Sequence, residues 1–203
     1  MNYQEIIDNA LIYADRKNDN ELIGRMDSFL RVVESRVNRA IKVMKMTARA
    51  TLATVPNQEY YGLPVDFAGM RDIEIRAIGG TGRETMKYAS PEQMNSYSTN
   101  NVSGYWYTLI ADQLQIYPVV ENSEIEIVYY RKLTPLAKNA NNWLANDMPD
   151  VYIFGLMVEI ASFVKHAESA AMWDERFRNA LAEVSGDDQL SRWSGTAMEV
   201  RLG

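Results

Sequence analysis

Few residues in this chain have the chemistry that a catalyst needs. His166 is the only histidine and there is no cysteine among 203 residues. A paired-histidine metal site, a zinc–thiolate site, a cysteine nucleophile and a disulfide scaffold all fall away. His166 follows Lys165 near a helix end and reads as a surface residue. Carboxylates remain, but none follows EF-hand spacing. The adjacent acids Asp187 and Asp188 lie in a polar stretch after a helix. They suit helix termination better than a glycosidase pair, whose two acids must be held apart across a cleft. GGTGRET at 79–85 resembles a phosphate loop, yet it lacks the Lys-Ser/Thr of a P-loop and the third glycine of a dinucleotide fingerprint. Strand patterns on both sides make it a hairpin turn. There is no Gly-x-Ser-x-Gly elbow. No nucleophile, base and orienting group share a motif, so the expectation is a protein that is not an enzyme and takes no cofactor and no metal.

The other chemistry open to the sequence is phosphate contact. Arg31, Arg36, Arg39, Lys42, Lys45 and Arg49 face one acid, Glu34, and YYRK at 129–132 adds aromatic and basic groups. Such a run can track a nucleic-acid backbone. Against it stand a net charge of −6 and an isoelectric point near 4.9. The charge is uneven: +2 over residues 1–50, −3 over 51–145 and −5 over 146–203. Two readings therefore stay open for the basic run. It is a DNA-binding helix face around residues 31–49, or a face that pairs with acidic neighbours or subunits.

The elements that must position these groups follow from periodicity. Ile6, Ile7, Ala10, Leu11 and Ala14 have helical spacing over 3–15. Asp19 or Asn20 caps a second helix whose stripe runs from Leu22 to Met44. TARATLATV reads as extended, and Leu63-Pro64 as a turn. DIEIRAI alternates as a strand and forms a hairpin with TMKY across the glycine loop. SPEQMNSY makes a short helix with Ser90 as cap and Pro91 at its first position. GYWYTLIADQLQIYP forms a hairpin about Ala111 and Asp112, and SEIEIVYYRK is a further strand. Asn146 or Asp147 caps a third helix with Pro149 in its first turn. Its run from Val151 to Val164 is too short for a membrane span and is apolar on two sides, so it belongs in the centre of a bundle. A fourth helix carries Ala170, Trp173, Phe177, Ala180, Leu181 and Val184 and ends at Gly186. MNYQEIIDNALIY does not read as a signal peptide.

The expected fold is α+β: a four-helix bundle core from 1–46 and 143–186, a β-rich insertion at 47–134 and an extended C-terminal tail at 187–203. The tail holds Trp193, Met198, Val200 and Leu202, apolar residues that suggest docking on the chain's own domain or on a partner.

The order of several short motifs adds to this. Leu-Pro-x-Asp-Phe at 63–67 is followed by the Tyr117-Pro118 hairpin end, the Tyr129-Tyr130 strand and the Pro149-Asp150-x-Tyr152 helix opening. Over about residues 20–185 the chain resembles the phage head–tail adaptor (connector) proteins, with tail tubular protein A of short-tailed phages as a relative. The resemblance implies a virion protein of the neck, between capsid and tail, assembled in the host cytoplasm. It implies a homo-oligomeric ring, typically of twelve copies, between the portal protein and a tail or nozzle protein. DNA passes through such a ring during genome retention and ejection without sequence-specific binding, and no membrane is involved. Carried over, Trp193, Met198, Val200 and Leu202 become candidate portal contacts. Tyr105, Trp106 and Tyr107 become a candidate tail or subunit interface, and Arg31, Arg36 and Arg39 candidate channel or subunit contacts. Strand aromatics also commonly pack into their own core, and that reading stays beside the interface one.

Overall fold

A computed structural model describes residues 1–193 of the chain, with side chains as far as Asp188. The chain is mixed α+β and divides into two compact units. One is built from Met1–Lys45 and the chain from Leu133 onward, the other from Met46–Lys132.

Helix α1 (Tyr3–Tyr13) starts with a reciprocal cap: the Asn2 side chain accepts the Glu5 N–H and the Glu5 carboxylate accepts the Asn2 N–H. Asp19 takes the capping role for helix α2 (Asn20–Ala40), its Oδ1 accepting the Leu22 N–H at 3.1 Å. The stripe Leu22, Met26, Leu30, Val33 and Val37 is buried. Helix α2 ends at Ala40 rather than running to Met44. Ile41 is extended, with φ −119° and ψ 142°, and a 3-10 turn follows at Met44–Met46. Ile41 and Val43 are buried two residues apart, as extended chain requires, while Met44, which continued the helical spacing, is exposed.

The second unit holds two four-stranded sheets around one apolar core. The first has the order β1 (Thr47–Ala53), β8 (Ser123–Arg131), β3 (Phe67–Ala77), β4 (Glu84–Thr85). The second has the order β2 (Tyr60–Gly62), β7 (Gln113–Tyr117), β6 (Trp106–Ile110), β5 (Lys87–Tyr88). Ile73, Ile75, Ile125 and Ile127 from one sheet meet Tyr61, Leu114 and Ile116 from the other. The glycine loop does join antiparallel strands, with Glu74 opposite Thr85. TMKY is not one hairpin arm, however. After Thr85 the chain crosses at buried Met86, and Lys87–Tyr88 runs parallel to β6 in the other sheet. Ala111, with φ 54°, and Asp112 turn β6 into β7. Helix α3 (Pro91–Asn100) begins at Ser90, which exchanges capping bonds with Gln93.

Back in the first unit, the third expected helix is two. Asn142 caps a short α4 (Trp143–Asp147), and α5 (Pro149–Phe163) starts after Met148 with no side-chain cap. Pro149 forces this break, because the residue before a proline is driven out of helical backbone; Met148 sits at φ −138°, ψ 64°. Neither Asn146 nor Asp147 is the cap. Helix α5 is buried along nearly its whole length, in contact with α1, α2 and α6 (Ala167–Trp193). Gly186 does not end α6: residues 187–193 are helical, so the extended tail expected from 187 is corrected over that stretch. One helical glycine costs about 1 kcal/mol against alanine. Against that cost, Asp188 gains a tertiary bond, accepting the Met44 N–H at 2.6 Å.

Candidate functional site

A carboxylate on the apolar side of α2 marks the most organised polar cluster of the helical unit. Glu34, between Val33 and Val37 on the stripe, is only 7% exposed. Its Oε1 accepts the Leu136 N–H at 2.6 Å and the Tyr152 hydroxyl at 3.2 Å. Tyr152, fully buried on α5, accepts in turn from the Asn142 amide at 2.7 Å. Asn142 also donates to the Thr134 carbonyl, and its oxygen accepts the Ala145 N–H that starts α4. Every group has a partner, which is what keeps a buried polar cluster from being destabilising. Burial pushes the Glu34 carboxyl above the usual carboxylate range, against the pull of its two hydrogen bonds. Burial pushes the Tyr152 hydroxyl up as well.

Beside this knot lies an open cleft of about 550 Å³, lined by Tyr3, Asp27, Arg31, Glu34 and the 135–140 turn. Tyr3 donates to Asp27, and burial followed by that acceptor pushes its hydroxyl up to about 12. The cleft sets carboxylates and tyrosines beside each other, but Tyr152 has no exposed surface through which a substrate reaches it. The arrangement fastens the returning segment 133–142 to α2 and α5. The spacing of apolar residues did not point to it; the one signal was a lone acid inside the α2 stripe.

The three candidate arginines have different surroundings. Arg36 is only 25% exposed; it pairs with Asp174, lies 3.7 Å from Glu159, and its guanidinium sits 4.7 Å over the Phe177 ring. Burial raises the Glu159 carboxyl, which Arg36 partly offsets. Arg31 and Arg39 are exposed, and Arg39 donates to Ser35 Oγ at 3.2 Å. Further along the basic run, Lys45 pairs with Asp147 at 2.5 Å and Arg49 with Glu126 at 3.2 Å. Much of the run thus pairs with acids of its own unit. His166 is exposed and accepts the Ser169 N–H at the start of α6.

The aromatic triplet is half-buried in the β unit. Tyr105 and Tyr107 pack against the shared core, and Tyr107 meets Tyr88 edge-on at 5.7 Å. Trp106 lies 4.8 Å from Tyr97 of α3 and donates to the Ser103 carbonyl, with Lys87 over its ring. Trp193 is the last residue of α6, while Met198, Val200 and Leu202 lie outside the described residues.

Among the described residues no group of three or more His, Asp or Glu side chains is placed to hold a metal ion. Among the same residues no helix is long and apolar enough to cross a membrane. No curated protein matches the chain. The family of the SU10 adaptor protein matches it over residues 1–201, which takes in both units. The chain thus belongs to the SU10 adaptor protein family, a family of phage head–tail adaptors.

Proposed function

We propose that this chain is a structural protein of the phage neck. Its subunits form a ring of twelve between the portal vertex and a tail or nozzle protein, and the ring extends the DNA channel for genome retention and ejection. The observation that carries this reading is the adaptor-family match along residues 1–201. The helical unit acts as a four-helix ring-building core, the β unit faces the tail or a neighbouring subunit through Tyr105, Trp106 and Tyr107, and the segment from Trp193 to Leu202 anchors on the portal. The kinship to tail tubular protein A belongs to the same proposal. The protein acts by contact and carries out no reaction. The internal pairing of Arg36 and Arg49 supports a channel wall that lets DNA pass rather than one that grips it.

Electron microscopy of the purified protein mixed with its portal tests the reading. A ring capping the portal at its tail-facing end is expected. Portal particles that stay bare at saturating protein would refute it.

A further inference from the structure

The helical unit leaves two helix faces uncovered, and the two are complementary. On α2 the residues at 24, 28, 31, 35 and 39 are Gly24, Ser28, Arg31, Ser35 and Arg39, all exposed. A spacing of three and four keeps them on one side, away from the buried stripe. On α6 the same spacing gives Glu168, Met172, Glu175, Asn179 and Glu183, all exposed. One face is basic and the other acidic. Among the described residues, Arg31 and Arg39 form no ion pair, and neither do Glu168, Glu175 and Glu183. The other arginines of the two helices whose side chains are described are engaged: Arg25 with Glu21, Arg36 with Asp174, Arg178 with Asp174, and Arg176 over the Trp173 ring. Each face also exposes a large apolar side chain, Val32 at 44% and Met172 at 43%.

Two glycines add an independent observation. A Cβ at Gly24 would meet nothing within 4 Å, and neither would one at Gly186 on α6. Glycine is a poor helix residue, and nothing among the described residues asks for it at either exposed position. A bare backbone on an outward helix face suits the close approach of another chain.

We infer that the α2 face of one copy docks on the α6 face of the next, with Arg31 and Arg39 set against Glu175 and Glu183. The inference rests on the ring reading above and assigns its subunit contact. Like charges oppose an α2–α2 or an α6–α6 pairing. A contact between two different faces is heterologous, the kind of contact that builds a ring when the rotation from copy to copy closes. Helices α2 and α6 belong to the same unit, joined through Arg36 and Asp174, so one subunit presents both faces.

Charge reversal gives the test. One variant carries Arg31→Glu with Arg39→Glu, the other Glu175→Lys with Glu183→Lys. Sedimentation velocity at low ionic strength is expected to show self-association of the native chain, weakened by roughly tenfold or more in each variant alone. An equimolar mixture should associate again: the acidic α2 of one variant meets the basic α6 of the other, and the two unaltered faces also match. Recovery on mixing requires both variants to be folded, so unfolding cannot mimic it. Added salt should weaken the native assembly. Gly24→Gln should raise the thermal melt slightly, through helix propensity, and still weaken association. Variants that associate like the native chain, or a mixture that fails to recover, would overturn the assigned contact. So would a native chain that stays monomeric, or variants that lose portal binding while self-association stays intact. Imaging on portal particles separates the two ideas: native rings there, with unaffected variants, would refute this contact and leave the ring standing.

Discussion

Gly155 of α5 faces Val33 of α2 so closely that a Cβ at Gly155 would stand 2.6 Å from Val33 Cγ1 and 3.1 Å from the Phe177 ring. Val33 is fully buried and Phe177 nearly so, which leaves neither room to retreat. Gly155→Ala gains about 1 kcal/mol of helix propensity and loses about 1–3 kcal/mol to overpacking. The contact is shorter than real Cβ contacts become, so the loss wins. A thermal melt should show a lower midpoint, by about 2–4 °C for each kcal/mol in a chain of this size. A raised midpoint would show that α2 can shift away from α5.

Glu34 makes stability depend on pH. Its folded-state pKa is raised above the ordinary 4.5 by burial. The folded chain therefore holds this proton more tightly than the unfolded one. Its stabilising contribution is fully present below 4.5 and is lost as pH rises through the raised value. Glu159 is raised in the same direction and adds to the slope. Glu34→Gln keeps an acceptor for the Leu136 N–H and removes the titration. Its midpoint relative to the native chain should rise from pH 5 to pH 8 in parallel melts. A constant difference would show that Glu34 does not titrate in that range.

Arg36 holds α2 to α6, and its removal should cost stability rather than DNA affinity. Arg36→Met keeps much of the stem over Phe177 and leaves half-buried Glu159 without its cation. The expected loss is about 1–3 kcal/mol, from a carboxylate left uncompensated. Urea unfolding measures that loss. Retention on DNA-cellulose at low salt should not change. Strong native DNA retention that vanishes in the variant would revive the DNA-binding reading of the basic run.

Deletion of residues 194–203 is expected to leave the melt unchanged and abolish portal docking. The cut falls after Trp193 because α6 runs to that residue and Asp188 holds the Met44 N–H. A cut after Gly186 would confuse anchoring with stability. Co-sedimentation with portal particles gives the result, and normal binding by the shortened chain would show that the anchor lies elsewhere.

What the sequence disclosed follows from how local each signal is. Ser90 and Pro91 at a helix start, Ala111 and Asp112 at a turn, and the two-sided apolar surface of α5 depend on neighbours a few residues away. All three were legible. The division of Glu84–Tyr88 between two sheets was not, because partners up to some twenty residues apart choose the pairing. The end of α2 was misread because Ile41 and Met44 continue the helical spacing of the stripe, whereas the chain turns extended at Ile41 and buries Val43 in place of Met44. The Glu34 knot needs Tyr152 and Asn142, more than a hundred residues away. Of the proposed contact, Arg31 and Arg39 drew notice by charge, while the acidic strip on α6 became visible only once that helix was seen to carry it on one side.

The helical unit is made from the two ends of the chain, with Met46–Lys132 between them. During synthesis, therefore, the stripe from Leu22 to Val37 leaves the ribosome well before α5 exists to cover it. At about 5–20 residues per second, the wait is on the order of 5–25 s. The intervening β unit has its own core and all its strands in hand before α5 emerges. The β unit can therefore close its core first, while the apolar stripe of α2 waits uncovered until α5 arrives.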